Sequence, residues 1–136
     1  MSLSLAPDHV TARNVAVRLP ALQASHTRLI TGWAHDPLIE LYEGEDPDTG
    51  TLLATIPVPV AAISLNSGEF KIEVGVVEGQ VTEAGTAESA RIVDASGNWW
   101  ADASVSDEEG EGDIQLQTVE LLSGAFVRLT TGVFAG

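Results

Sequence analysis

The stretch Glu88–Asp113, ESARIVDASGNWWADASVSDEEGEGD, reads as two strands joined by a tight turn and followed by a strongly acidic loop. Ala95-Ser96-Gly97 is the predicted turn, because a three-residue hairpin loop favours glycine at its left-handed position. Trp99 and Trp100 follow at once, and adjacent strand residues point to opposite faces of a sheet. We therefore predict that Trp99 enters the core, together with Ala101, Ala103 and Val105. Trp100 then lies on the other face, where another part of the protein or a second subunit must cover it.

Alternating apolar and polar residues recur on both sides of this hairpin, separated by turns rich in glycine, proline and asparagine. The pattern predicts strands at 38–43, 51–58, 68–77, 113–122 and 125–134, while 78–85 reads as a loop or a weak edge strand. No strand–helix–strand alternation occurs, so parallel α/β folds are disfavoured. The sequence predicts a mainly β protein, an antiparallel β-sandwich or barrel-like fold with one N-terminal helix.

The helix is predicted over residues 8–19, where Asp8 can act as the N-cap. Pro20 is expected to break or kink it, because proline has no N–H to donate and disfavours helix in the residue before it. The length of 136 residues is typical of one domain. We therefore predict a single domain, 1–136, with a β body at 38–134.

The charge balance excludes several classes of partner. The chain carries 20 acidic and six basic residues, a net charge of −14. Phosphate binding depends on clustered Lys and Arg, so neither nucleic acid nor an anionic membrane is an expected partner. The chain has no cysteine, which excludes disulfides and cysteine zinc sites. It also shows neither a secretory signal nor a membrane-spanning run, so we expect it to be made and kept in a cytoplasm, or released by lysis rather than by secretion.

Catalytic motifs are missing from the sequence. The three histidines, at positions 9, 26 and 35, form no metalloprotease pair, and no nucleophile elbow occurs. Asp94 and Asp102 could face each other across the hairpin, but a glycosidase also needs a cleft. We predict a non-enzymatic protein without cofactors.

Two features are weak candidates for ligand sites. The acidic loop supplies carboxylates that could surround Ca²⁺, at Asp107, Glu109, Glu111 and Asp113, although the loop does not match an EF-hand. Tyr42, Trp33, Trp99 and Trp100 could stack against sugars, but aromatic side chains in β proteins more often form core or subunit contacts. We therefore expect a solvated acidic loop without a specific metal, and name Trp100, Tyr42 and Trp33 as interface candidates.

Several strand and turn segments of the chain carry a resemblance to a known family. They include residues 90–105 (ARIVDASGNWWADASV), 112–134 (GDIQLQTVELLSGAFVRLTTGVF), 39–44 (IELYEG) and 50–56 (GTLLATI). The first two are similar to the C-terminal half, and the last two to the first hairpin, of a family of small proteins encoded in tailed phages and prophages. TARNVAVRLPAL (11–22) resembles its N-terminal helix. This chain departs from the family in Pro20 and in its longer acidic loop. The resemblance implies a virion structural or assembly protein and supplies no catalytic residues.

Two hypotheses follow. In the first, the chain is a head or tail accessory component that binds to itself and to other virion proteins, and is found in the virion or in the bacterial cytoplasm during assembly. In the second, it is a ligand-binding β-sandwich module for carbohydrate or Ca²⁺, built on the aromatic residues or on the acidic loop.

Overall fold

The computed structural model describes residues 7–32, 35–67, 69 and 71–135, with the backbone alone for 7–18 and 135. The protein is mainly β with one helix near its N-terminus, as predicted. In chain order the elements are α1 (Pro7–Ile30), β1 (Leu38–Glu43), β2 (Thr51–Pro57), a 3-10 turn (Val60–Ala62), β3 (Ile63–Asn66), β4 (Lys71–Val74), β5 (Val77–Val81), β6 (Gly85–Val93), β7 (Trp99–Asp107), β8 (Ile114–Leu116), β9 (Glu120–Leu121) and β10 (Phe126–Ala135).

Seven strands form a closed β-barrel. The ring runs β10-β5-β2-β1-β6-β7-β8 and closes because β8 pairs with β10. The hairpin of β3 and β4 extends the sheet from the far end of β10, and β9 pairs with the first residues of β6. A ring of this kind leaves its seven members without a free edge, whereas β3 pairs only with β4 in the described chain.

One pair in the ring departs from the predicted antiparallel pattern. β7 and β8 run parallel, with Val105 opposite Ile114 and Asp107 opposite Leu116. Parallel neighbours usually need a crossover of a dozen or more residues. Ile114, the first residue of β8, lies opposite Val105, which is two residues before the end of β7. The loop between the two strands therefore has to return by only about 7 Å along the strand direction.

Aliphatic side chains fill the barrel. The inward positions of its strands are almost completely buried, as at Ile39, Leu41, Leu53, Ile56, Ile92, Ile114, Leu116 and Leu129. Small barrels have interiors just wide enough to be packed by their own side chains, and this one follows that rule. The core of the protein is thus the inside of the barrel.

The helix is longer than predicted. It runs from Pro7 to Ile30 and continues through Pro20, so the expected end at residue 19 is wrong. Proline costs one helical hydrogen bond, but packing further along the helix compensates, because Leu22 and Leu29 lie two turns apart and are both buried in the core cluster. No helix in the described chain is both long and apolar enough to cross a membrane.

The predicted strand at 68–77 is two elements rather than one. Within it, β4 ends at Val74, and the chain bends at Gly75 and Val76 before β5 begins. The stretch 78–85, predicted as loop or weak edge, supplies most of β5, a member of the ring. The apolar alternation of β5 is not visible in the sequence, because its middle inner position is Gly79. The main chain of β2 lies too close to this position for a side chain.

Candidate functional site

The outer face of β1, β6 and β7 carries an ion-pair cluster centred on Arg91. The strand register places Glu40, Arg91 and Asp102 side by side. Arg91 Nε donates to Asp102 Oδ1 at 2.9 Å, and Arg91 Nη2 donates to Asp48 Oδ1 at 2.7 Å. These hydrogen bonds, first to Asp102 and then to Asp48, raise the pKa of Arg91. Asp48 belongs to the β1–β2 loop, so Arg91 holds that loop against the barrel.

Trp99 lies on this same outer face, and its predicted place in the core is wrong. A register shift in β7 leaves Ile92 opposite Ala101 but Val93 opposite Trp99, so one extra residue stands between the two pairs. The indole of Trp99 is 61% exposed. It stacks on the Arg91 guanidinium at 4.6 Å and donates from Nε1 to Asp102 Oδ1 at 3.0 Å. The ring is therefore exposed but held in one orientation.

Trp100 is half-buried and faces the helix α1. Its ring packs against the core cluster and meets Phe134 edge-on, with centroids 5.4 Å apart. Its Nε1 donates to the carbonyl oxygen of Ser25 in α1 at 3.0 Å. Trp100, predicted as a sheet-covering or subunit contact, thus joins the barrel to its own helix.

Tyr42 lies on the outer face, two residues along β1 from Glu40. Its hydroxyl donates to Glu40 Oε1 at 3.3 Å. Partial burial, and then the charge of Glu40, raise the pKa of Tyr42. Four aromatic side chains were considered for sugar stacking. Tyr42 and Trp99 lie on the same outer face, and Trp100 does not. Trp33 lies outside the described residues.

A groove of about 530 Å³ lies beside the Arg91 cluster. Five carboxylates line it, together with two serines, a proline and an alanine: Glu45, Asp46, Pro47, Glu88, Ser89, Asp102, Ala103, Ser104 and Asp113. Pro47 is buried, and Ser89 Oγ donates to the carbonyl oxygen of Gly44 at 2.7 Å, which fixes the loop that forms one wall. The groove is strongly negative and widely open to solvent.

The acidic loop between β7 and β8 is fastened to β7 by serine hydroxyls. Gly112 N donates to Ser106 Oγ at 2.9 Å, and Asp113 N donates to Ser104 Oγ at 3.0 Å. A Cβ on Gly112 would lie 2.6 Å from Ser106 N, so the close approach requires glycine. Glycine here permits the short parallel connection.

The metal candidates in this loop do not converge. Asp107 Oδ1 accepts from Glu109 N at 3.0 Å, and Asp113 Oδ2 accepts from Ser104 Oγ at 3.3 Å. No group of three or more acidic or histidine side chains with the geometry of a metal site occurs in the part of the chain that the structure describes. Of the four candidates, only Asp113 reaches the groove.

Asp94 and Asp102 do not form a carboxylate pair. Asp94 is buried in the β6–β7 turn, where its Oδ1 accepts from Ser96 N and Asn98 N at 3.0 and 2.9 Å. Gly97 adopts the positive φ of 87° that was predicted for it. Asp94 therefore shapes the turn, and Asp102 orients Arg91 and Trp99.

A second surface, which the sequence analysis missed, is the turn between β9 and β10. Leu122 and Phe126 flank it and are 70% and 72% exposed. The turn is rigid: Gly124 N donates to Val81 O, Val81 N to Ala125 O, and Ser123 Oγ to Thr82 O. The sequence carried no clear signal for it, because Leu122 and Phe126 fall inside the predicted strands 113–122 and 125–134.

Comparison of the chain with protein-family models, with curated proteins and with solved structures finds no match.

Proposed function

We propose that this chain is a phage-type structural or assembly protein, an accessory component of head or tail, which acts by oligomerising and by contacting other virion proteins. The observation that carries the proposal is the rigid apolar turn of Leu122 and Phe126 at the end of a solidly packed barrel. The resemblance of its strand and turn segments to small phage proteins supports the same role. Its place would be the virion, or the bacterial cytoplasm during assembly.

The interior of the barrel is filled, so partners can bind only to its outer surface. Inward positions such as Leu41, Leu53 and Leu129 show no exposed surface, so the barrel holds its own side chains where larger barrels hold a ligand. A protein built in this way recognises partners with its loops and outer faces.

The β9–β10 turn has the character of a contact surface. Single exposed apolar residues are common, but here two large ones stand on either side of one short, hydrogen-bonded turn. Aromatic side chains are enriched in the buried centres of protein interfaces. A preformed turn loses little conformational entropy on binding, which favours stable contacts in an assembly.

Particle composition tests the proposal. Particles are purified from an induced lysogen in which the gene is deleted and supplied in trans, and their proteins are identified by mass spectrometry. Wild-type protein should be incorporated, and the double variant Leu122→Ser, Phe126→Ser should be incorporated at least about tenfold less, since two anchors of an interface commonly carry more than 1.4 kcal/mol. Ala125→Ser, in the same turn, is the matched control and should incorporate normally. A strictly monomeric protein that is absent from particles would refute the proposal.

The Arg91 face favours a second candidate function, carbohydrate binding. Trp99 presents a fixed, 61% exposed indole, and Tyr42 and the carboxylate-lined groove lie beside it. Apolar sugar faces stack on such rings, while carboxylates accept hydrogen bonds from sugar hydroxyls. Calorimetry against a glycan panel, with Trp99→Ala as the control, tests it: absence of heat for every glycan would reject it. Among the described residues, nothing favours Ca²⁺.

A further inference from the structure

The outer edge of β3 is the open end of the sheet in the described chain. β3 pairs with β4 from Ile63 opposite Val74 to Asn66 opposite Lys71, with no shift in register. No other described strand pairs with it. Natural edge strands are often short, as β3 is, and are usually protected further by charges, prolines or bulges. The four residues of β3, Ile-Ser-Leu-Asn, contain none of these.

The register shows which backbone groups face outward. Gly75 N donates to Ala62 O at 2.8 Å, which makes Ile63 and Val74 a pair without direct hydrogen bonds. Leu65, two residues on, belongs to the same kind of pair, so the main-chain groups of Ile63 and Leu65 point away from β4. Ile63 N–H is used within the chain, by Val60 O. Ile63 C=O and the N–H and C=O of Leu65 have no protein partner among the described residues.

Exposed apolar side chains lie beside this edge. Val60, in the turn immediately before β3, is 43% exposed. Val76 is 62% exposed and follows Gly75, which is bonded to the same turn. An unprotected edge next to exposed aliphatic side chains is the combination that strand addition uses, because main-chain hydrogen bonds and apolar contacts form together.

We propose that the β3 edge pairs antiparallel with the β3 edge of a second copy, centred on Ser64, and forms a symmetric dimer. In this register Leu65 N–H of each copy donates to Ile63 C=O of the other, so the free donor and acceptor satisfy each other. Ile63 of each copy lies opposite Leu65 of the other on one face. The inference names the surface for the oligomerisation in the proposed function, and it rests on that proposal.

Charge does not oppose a second copy at this edge, unlike at most of the surface. The chain has a net charge of −14, so most of its surface repels another copy. β3 contains no carboxylate, and in the neighbouring strand Lys71 binds Glu69 at 2.6 Å and Glu73 at 3.6 Å. The edge can therefore meet its own copy without placing like charges opposite each other.

A single introduced cysteine tests the register, because the chain has none of its own. Ser64 is exposed, and in the proposed dimer the two Ser64 Cα atoms form a pair without direct hydrogen bonds, about 4.5 Å apart, which a disulfide can span. Ser64→Cys should give a cross-linked dimer on mild oxidation. Asn66→Cys is the matched control: its two copies are offset by four residues, about 13 Å along the strand, and should stay uncrosslinked.

Sedimentation provides the second measurement. Ser64→Lys places two like charges opposite each other and should weaken the dimer by about tenfold or more, whereas Thr86→Lys, at an exposed position on β6, should leave it unchanged. Circular dichroism checks that both variants fold. If an oligomer persists in Ser64→Lys and the Ser64→Cys variant does not cross-link, the inference is overturned, while oligomerisation through another surface stands. A monomeric wild type also overturns the inference, and particle composition then decides the proposed function alone.

Discussion

The two adjacent tryptophans should differ sharply in what they contribute to stability. Trp100→Ala removes an edge-on aromatic contact with Phe134 worth about 1 kcal/mol. It also removes a hydrogen bond to Ser25, which is exposed to solvent and worth only about 0.5 kcal/mol. The loss of buried indole surface adds roughly 1–2 kcal/mol. We expect Trp100→Ala to lower the free energy of unfolding by about 3 kcal/mol, within the range of buried aromatic truncations.

Trp99→Ala should cost much less. Its indole is 61% exposed, and its stacking on Arg91 is a surface cation–π contact, worth about 0.5–1 kcal/mol. Its hydrogen bond to Asp102 lies in solvent, and Asp102 keeps both bonds to Arg91 after the substitution. We expect a loss of about 1 kcal/mol, since exposed hydrogen bonds contribute little.

Urea unfolding followed by far-UV circular dichroism measures the difference, because that signal comes mainly from the backbone and reports unfolding in both variants. The two variants should share the wild-type m-value and differ in midpoint, with Trp100→Ala less stable by about 2 kcal/mol. Equal losses, or a larger loss for Trp99→Ala, would refute the register shift in β7 and return Trp99 to the core.

Three further predictions follow from single contacts. Tyr42 is the only tyrosine, so absorbance at 295 nm should report its ionisation, with a midpoint above the ordinary pKa of 10.0. Glu40→Gln should lower that midpoint. Because the pKa of Tyr42 is raised in the folded protein, the stability that its protonated hydroxyl contributes is complete below pH 10 and is lost as the pH rises through the folded pKa. Gly112→Ala should destabilise by about 1–3 kcal/mol through the clash with Ser106, measured by urea unfolding. Leu29→Ala should cost about 3 kcal/mol by the same measurement, because it leaves a cavity between α1 and the barrel.

Each of these has a control and an outcome that contradicts it. The urea-unfolded protein should titrate near pH 10, and an equal midpoint in the folded protein would contradict the contact of Tyr42 with Glu40. Glu111→Ala, in the same loop as Gly112, should be nearly neutral; a neutral Gly112→Ala would mean that the parallel connection is wrong. Gln23→Ala, on the exposed side of α1, is the control for Leu29→Ala, and equal effects would argue against docking of the helix.

Much of the fold could be predicted because it depends on local patterns. Alternation in Leu38–Glu43 and the turn at Gly97 led to the correct strands, hairpin and mainly β class. The order of Trp99 and Trp100 could not be predicted, because one bulged residue exchanges the two faces of a strand and leaves no mark in the alternation. The continuation of α1 beyond Pro20 depends on the burial of residues later in the helix, and helix propensities carry no information about such packing.

The candidate site was less predictable than the fold. Tyr42 and the acidic loop were noticed because their residue types are conspicuous. The role of Arg91 was missed, because Asp48 is 43 residues away in sequence and only the barrel brings the two together. The parallel pairing of β8 with β7 was missed for a similar reason. The six acidic and glycine residues between the two strands resemble an ordinary turn in sequence, and only the structure shows that serine hydroxyls of β7 bind the main chain of this loop.

The last strand has a consequence for biosynthesis. β10 pairs with β4, β5 and β8, and the ring closes only through it. A growing chain that has passed β8 but not residue 126 therefore exposes the unpaired edges of β5 and β8 and an open apolar interior. Synthesis must reach the last ten strand residues before the barrel can shut, so nascent chains have to be kept apart until that moment. Until then, the open strand edges of neighbouring nascent chains on one message can pair with each other.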